Sequence, residues 1–73
     1  MAIVNVKTEI TGIVWKILKQ AGDDVEEDEP ILILESMKMQ IPVAAPEEGR
    51  VKEILVNEED TVIEGTVVAR VAV

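Results

Sequence analysis

The sequence predicts an all-β fold in which two similar halves close on each other with pseudo-twofold symmetry. Three observations carry that reading. Val, Ile and Leu supply most of an apolar content of 48%, while the aromatics reduce to Trp15 alone, and β-branched side chains pack well on pleated sheets. The apolar runs are short, they end at turn chemistry, and no i, i+3, i+4 stripe persists for three helical turns. The chain also echoes itself: a shift of 37 positions pairs Gly12 with Gly49, Val14 with Val51, Ile17 with Ile54, Leu18 with Leu55, Asp23 with Asp60, Val25 with Val62 and Glu27 with Glu64.

The expected elements follow in order. Ile3 to Val6 forms the first apolar run and Ile13 to Leu18 the second; Gly22-Asp23-Asp24 and the stretch Glu26 to Pro30 break the chain before the third, Ile31 to Leu34. Ile41 to Ala45, Val51 to Val56 and Thr66 to Val71 complete the set, separated by Pro46 to Gly49, Asn57 to Asp60 and Glu64-Gly65. In both copies the Gly-x-Val-x-x-Ile-Leu pattern steps by three from Val to Ile, which in a strand signals a bulge or sharp bend. Pro42 cannot donate to a ladder, so its strand belongs at an edge or is bulged there. Trp15 is expected as an amphipathic core or rim residue. Closing the two halves would remove exposed sheet edges, the main liability of a small β protein.

Length and composition exclude much. Residues 1–73 suffice for one small domain and one core, without room for an internal active-site cleft. No Cys and no His means no disulfide, no common zinc site and no Cys or His nucleophile or base. A formal charge of −8 argues against nucleic acid and membrane surfaces and favours a basic surface on a protein partner. The acidic run Asp23 to Glu29 lacks the alternating ligand spacing and central glycine of an EF-hand loop and reads as a solvated face, so no metal is assigned. No run of 18 apolar residues occurs, and MAIVNVKTEI lacks the features of a signal peptide, so a cytoplasmic location is expected.

The segment Ile31 to Ala44 is longer than the usual strand of about three to ten residues, so it should reverse near its middle. Only Ser36, Met37, Lys38 and Met39 are available for that reversal, and none is the Gly, Asn or Asp that tight hairpins favour. A broken local rule of this kind marks functional or strained sites. The repeat adds a geometric corollary, because it places Met1 opposite Lys38 and Val73 opposite Ser36. The termini and the Lys38 segment should therefore occupy opposite poles. An isolated lysine at such a tip is ordinarily a solubilising residue, and flanking methionines are ordinarily core gap-fillers.

Resemblance changes that weighting. Glu35-Ser36-Met37-Lys38-Met39 resembles the modification-site motif of biotinyl domains, and the likeness runs over essentially the whole chain, from the glycine-plus-valine strand through the Gly-Asp turn to the second half echoing the first. What the resemblance implies is a barrel-sandwich hybrid, the biotinyl/lipoyl fold: a flattened β-barrel of two four-stranded antiparallel sheets with the modified lysine in a tight hairpin opposite the termini. The chain departs from the family pattern at Asn57-Glu58-Glu59-Asp60, where Gly-Asp is favoured, at Glu27-Asp28-Glu29, where a Gly is common, and at Gln40, where Glu is frequent. Only Gly22-Asp23-Asp24 stands where some bacterial carriers insert a thumb loop, so the match is to short thumbless carriers and to the C-terminal biotinyl domains of carboxylases.

The resemblance further implies a non-catalytic biotin carboxyl carrier. Biotin would be joined by an amide to Lys38 by a biotin protein ligase that recognises Glu35, Ser36, Met37 and Met39. The swinging arm would then serve a biotin carboxylase and a carboxyltransferase. Five lysines are present, and lysine amines are overwhelmingly protonated near neutral pH, so selection and activation must come from the partner enzyme. Two other readings use the same residues: a lipoyl carrier of a 2-oxo acid dehydrogenase or of the glycine cleavage system, whose tip usually reads Asp-Lys-Ala, and an unmodified β-barrel interaction module.

Overall fold

The repeat folds as two interleaved sheets. The computed structural model describes residues 2–73, and among them the chain forms eight strands and no helix: β1 (Ile3–Lys7), β2 (Gly12–Ile17), β3 (Asp24–Val25), β4 (Pro30–Ser36), β5 (Met39–Ala44), β6 (Gly49–Ile54), β7 (Thr61–Val62) and β8 (Val67–Ala72). One antiparallel sheet runs β1-β8-β6-β3 and the other β5-β4-β2-β7. The 37-residue shift carries β1 onto β5, β2 onto β6, β3 onto β7 and β4 onto β8, so it exchanges the two sheets. Each sheet draws two strands from each half. Neither half could bury its apolar face alone.

The core obeys the same symmetry. Val6 and Val43, Val14 and Val51, Val25 and Val62, Ile31 and Val68, Leu32 and Ala69, and Leu34 and Val71 are all buried pairs, and Thr8 is buried as the mate of Ala45. Each buried Val, Leu or Ile contributes about 1.5–3 kcal/mol. The one buried hydroxyl among the described residues is satisfied locally, because Thr8 Oγ1 donates to the carbonyl of Ile10 and accepts from its N–H.

Both expected bulges occur. The β2–β4 register shifts between Val14 and Lys16, leaving Trp15 as the extra residue, and the β6–β8 register shifts between Val51 and Glu53, leaving Lys52 in the equivalent place. Each bulge lets Val14 or Val51 face the core while the next residue faces out. Trp15 is therefore not a core residue: the bulge turns it onto the outer face of its sheet. Pro42 lies on β5, an edge strand, as its missing N–H requires.

Two strands were not expected as apolar runs. β3 and β7 hold two residues each, and their signal is a lone buried valine, Val25 or Val62, beside an exposed polar residue. Hydrogen bonds fix them: Val51 N–H donates to Asp23 O, and Val14 N–H donates to Asp60 O, both at 2.8 Å.

The chain ends also pair. Ala2 and Val73 exchange backbone hydrogen bonds of 3.3 and 2.9 Å, in the position symmetric to the pair Met39 and Ser36 across the β4–β5 turn. The pseudodyad thus exchanges the termini with the hairpin, and the two features sit in different sheets. The expected pairing of Met1 with Lys38 lies outside the described residues.

Candidate functional site

The β4–β5 ladder sets the site. Leu34 opposes Ile41, Glu35 opposes Gln40 and Ser36 opposes Met39, which leaves Met37 and Lys38 as a two-residue loop. Both are left-handed, with φ of 52° and 67°, the pair of conformations that a type I′ hairpin turn demands. A left-handed conformation costs a non-glycine residue about 1–2 kcal/mol. It persists because the ladder beneath, anchored by the fully buried Leu32 and Leu34, over-determines the turn.

That geometry lifts three side chains into solvent. Lys38 is exposed, and among the described residues it enters no ion pair. Met37 is 89% and Met39 59% exposed, so the flanking thioethers are not core gap-fillers. Glu35 is exposed on the outer face of the sheet, and Ser36 is half-buried at the strand end. The structure therefore gathers Glu35, Ser36, Met37, Lys38 and Met39 on one projecting ribbon. It offers an amine with room on all sides, which fits a group attached through an amide and fits poorly a residue that must hold a ligand in a cavity.

Gly12 is a support that the sequence shows only as a repeat glycine. A Cβ there would sit 2.7 Å from the carbonyl oxygen of Glu35 and 3.5 Å from Cβ of Ser36. The absence of a side chain lets the start of β2 close on the last residues before the turn. Gly49 does the same against the carbonyl of Ala72. Its presence in both copies was the available clue.

The acidic run is occupied locally. Asp23 accepts from the N–H of Gln20, Asp24 pairs with Arg50 at 3.1 Å, and Glu29 pairs with Lys19 at 2.9 Å. The N–H of Glu26 donates to the other oxygen of Glu29, and these two bonds hold that carboxyl below the usual range, the Glu26 bond contributing most.

Comparison with known proteins adds the lineage. The family model described as "Biotin-requiring enzyme", which spans biotin and lipoyl attachment domains, matches residues 3–71. The chain belongs to the biotin/lipoyl attachment family. Members of this family are carrier domains rather than catalysts. A biotin/lipoyl attachment protein of Bacillus subtilis is 44% identical over 64 residues, which is 88% of each chain. In the crystal structure of Kluyveromyces lactis urea carboxylase, a segment amounting to 6% of that chain superposes on 99% of this one, with a TM-score of 0.93 and 33% identity. The solution structure of the lipoyl domain of the Azotobacter vinelandii 2-oxoglutarate dehydrogenase complex matches 85% of this chain and 78% of its own, with a TM-score of 0.70 and 34% identity. The two four-stranded antiparallel sheets are thus the family's fold, as the resemblance implied, and biotin and lipoate carriers share it.

Proposed function

We propose that residues 1–73 act as a single biotinyl domain, a cytoplasmic biotin carboxyl carrier with Lys38 as its attachment site. The observation that carries the reading is the exposed left-handed turn Met37-Lys38, with Met39 on the following strand. In its neutral form the Lys38 amine attacks an activated acyl carbon, loses a proton and leaves a stable amide on a four-carbon stem. A biotin protein ligase supplies the acyl adenylate, and AMP departs. Met37 and Met39 present two flexible apolar contacts to that ligase, while Glu35 offers a charge to its basic surface. When attached, biotin carries a carboxyl group from a biotin carboxylase to a carboxyltransferase. The chain adds no catalytic group. Its contribution is a rigid barrel beneath a mobile arm, which raises effective concentrations to roughly millimolar when short linkers tie the sites together.

The likeness to a lipoyl domain keeps a second reading in play, lipoate on the same lysine. The hairpin favours biotin, since Met37 and Met39 flank Lys38 where lipoyl domains usually carry Asp and Ala. Co-expression with a biotin ligase or a lipoyl ligase, read by intact mass and streptavidin blotting on wild type and Lys38→Arg, tests the proposal. A biotinyl increment lost in Lys38→Arg is expected. A lipoyl increment alone would transfer the assignment, a streptavidin signal surviving in Lys38→Arg would remove Lys38 from the mechanism, and no increment would leave the unmodified interaction module.

A further inference from the structure

The pseudodyad that pairs the cores does not pair the outer faces. Ile13, Trp15 and Ile33 lie on the outside of the β5-β4-β2-β7 sheet, and their mates on the other sheet are Arg50, Lys52 and Arg70. The face of Ile63, just beyond β7, has Glu26 as its mate. On the β1-β8-β6-β3 sheet these positions are polar, and two of them are paired: Arg50 with Asp24, and Arg70 with Glu53 and Asn5. The fold therefore does not require apolar residues there. Yet Ile13 and Trp15 are each 47% and Ile63 68% exposed, with Ile33 half-buried among them.

These side chains form one surface. Ile13 lies directly opposite Thr61, which puts Ile63 on the diagonal position of the same face, about 7–8 Å away. Ile13 also opposes Glu35, one residue before the turn begins, and Ile33 follows on the same strand beside Lys16. The surface runs directly into the Lys38 hairpin. Exposed apolar side chains that include a tryptophan, interleaved on one face with Glu35, Lys16 and Thr61, are the composition of a protein-binding hot spot with polar surroundings.

Charge selects the occupant. Glu35 and Glu64 border the surface and Lys16 lies within it, but the chain carries −8 overall, so a second copy would meet net repulsion. The fitting partner has an apolar centre and a basic rim, and it must reach the hairpin while seated. We infer that this outer face is the docking surface for the ligase that acylates Lys38, an inference that rests on Lys38 being the attachment site. Ile13, Trp15, Ile33 and Ile63 bind the enzyme and the hairpin enters its active site.

The symmetry also supplies the test. The triple variant Ile13→Arg, Trp15→Lys, Ile33→Arg gives this face the residues that the other sheet already carries, and a thermal melt checks its fold. In steady-state biotinylation, KM for the carrier should rise at least about tenfold with kcat little changed, and Trp15→Lys alone should show part of the same rise. Arg50→Gln with Lys52→Gln, on the opposite sheet, should leave both constants unchanged. A direct readout uses Lys38→Arg with 5-fluorotryptophan at position 15, whose single fluorine resonance should shift when biotin protein ligase is added. Unchanged KM in the triple variant together with an unshifted resonance would overturn the docking surface while leaving the attachment site intact. A resonance that shifts with carrier concentration alone would assign the face to a second copy and overturn it too. Wild type that takes no biotin would remove the attachment reading and the docking surface with it.

Discussion

Asp28 and Gly65 hold the same turn in the two halves. Both are left-handed, with φ of 68° and 89°, and both donate to symmetric acceptors, Asp28 N–H to Ala45 O at 2.9 Å and Gly65 N–H to Thr8 O at 2.8 Å. Gly22 and Glu59 form a second such pair, at 98° and 76°. In each pair one half uses glycine and the other bears a side chain.

Replacing the side-chain member by glycine should therefore stabilise the fold. The left-handed penalty of about 1–2 kcal/mol is partly offset by the extra freedom glycine gains when unfolded. Glu59→Gly should gain about 0.5–1 kcal/mol and Asp28→Gly less, because Asp tolerates this conformation better. Urea unfolding reads the difference, and a gain of 1 kcal/mol corresponds to roughly 4–8 °C in Tm for a domain of this size. Gly22→Ala and Gly65→Ala should move in the opposite direction.

Gly12→Ala and Gly49→Ala should both destabilise, by about 1–3 kcal/mol, since each added methyl meets a backbone carbonyl that cannot move without its strand. Their functional effects should differ. Gly12→Ala displaces Glu35 and the strand end that positions Lys38, so biotinylation should slow at temperatures where the protein remains folded. Gly49→Ala meets Ala72 in the other sheet and should leave biotinylation near wild type. Equal rates for the two variants would contradict the supporting role of Gly12.

Six strands, both bulges and the pairing of halves were legible because each rests on a local pattern: a run of apolar residues, a step of three, or an identity at a fixed offset. β3 and β7 were not, because two residues are too few to show alternation, and each is held by hydrogen bonds to a strand more than twenty positions away. Trp15 was open between core and rim because its direction depends on which residue the bulge leaves unpaired, which is a property of two strands. The hairpin was legible through a violation, the lack of any Gly, Asn or Asp between Leu34 and Ile41. Its support was not, since nothing local to Gly12 reveals that Glu35 passes 2.7 Å from where a Cβ would be. The asymmetry of the outer faces needed the symmetry of the core as its reference.

The turn itself should show stability opposed to function. Met37→Asn places at a left-handed position a residue that adopts that conformation readily, so stability should rise by up to about 1 kcal/mol. The same change removes an exposed thioether beside Lys38, and kcat/KM for biotinylation should fall by about tenfold or more. A variant both more stable and equally well modified would mean that Met37 plays no part in recognition.

The Lys19–Glu29 pair should bound the pH range of maximal stability on both sides. Glu29 accepts from the N–H of Glu26 and from Lys19, and its carboxyl titrates below the ordinary 4.5. Its contribution is complete above that ordinary value and disappears as pH falls through the depressed one, because the unfolded chain then binds the proton more readily. Lys19, held above its ordinary 10.5 chiefly by the hydrogen bond to Glu29, contributes fully below 10.5 and loses its contribution as pH rises through the raised value. Glu29→Gln should thus lower stability most on the plateau between these limits, and its difference from wild type should shrink towards zero in acid. Lys19→Met should remove the alkaline limb, and about 1 M salt should reduce both effects because the pair is half-buried and partly screened. Urea unfolding from about pH 3 to about pH 11 reads these differences, and a Glu29→Gln curve parallel to wild type throughout would show that the pair contributes nothing. The mate of Glu29 is Thr66, whose hydroxyl donates to Ile63 O at 2.6 Å. That turn closes without an ionisable group, so Thr66→Val should lower stability by an amount that does not vary with pH.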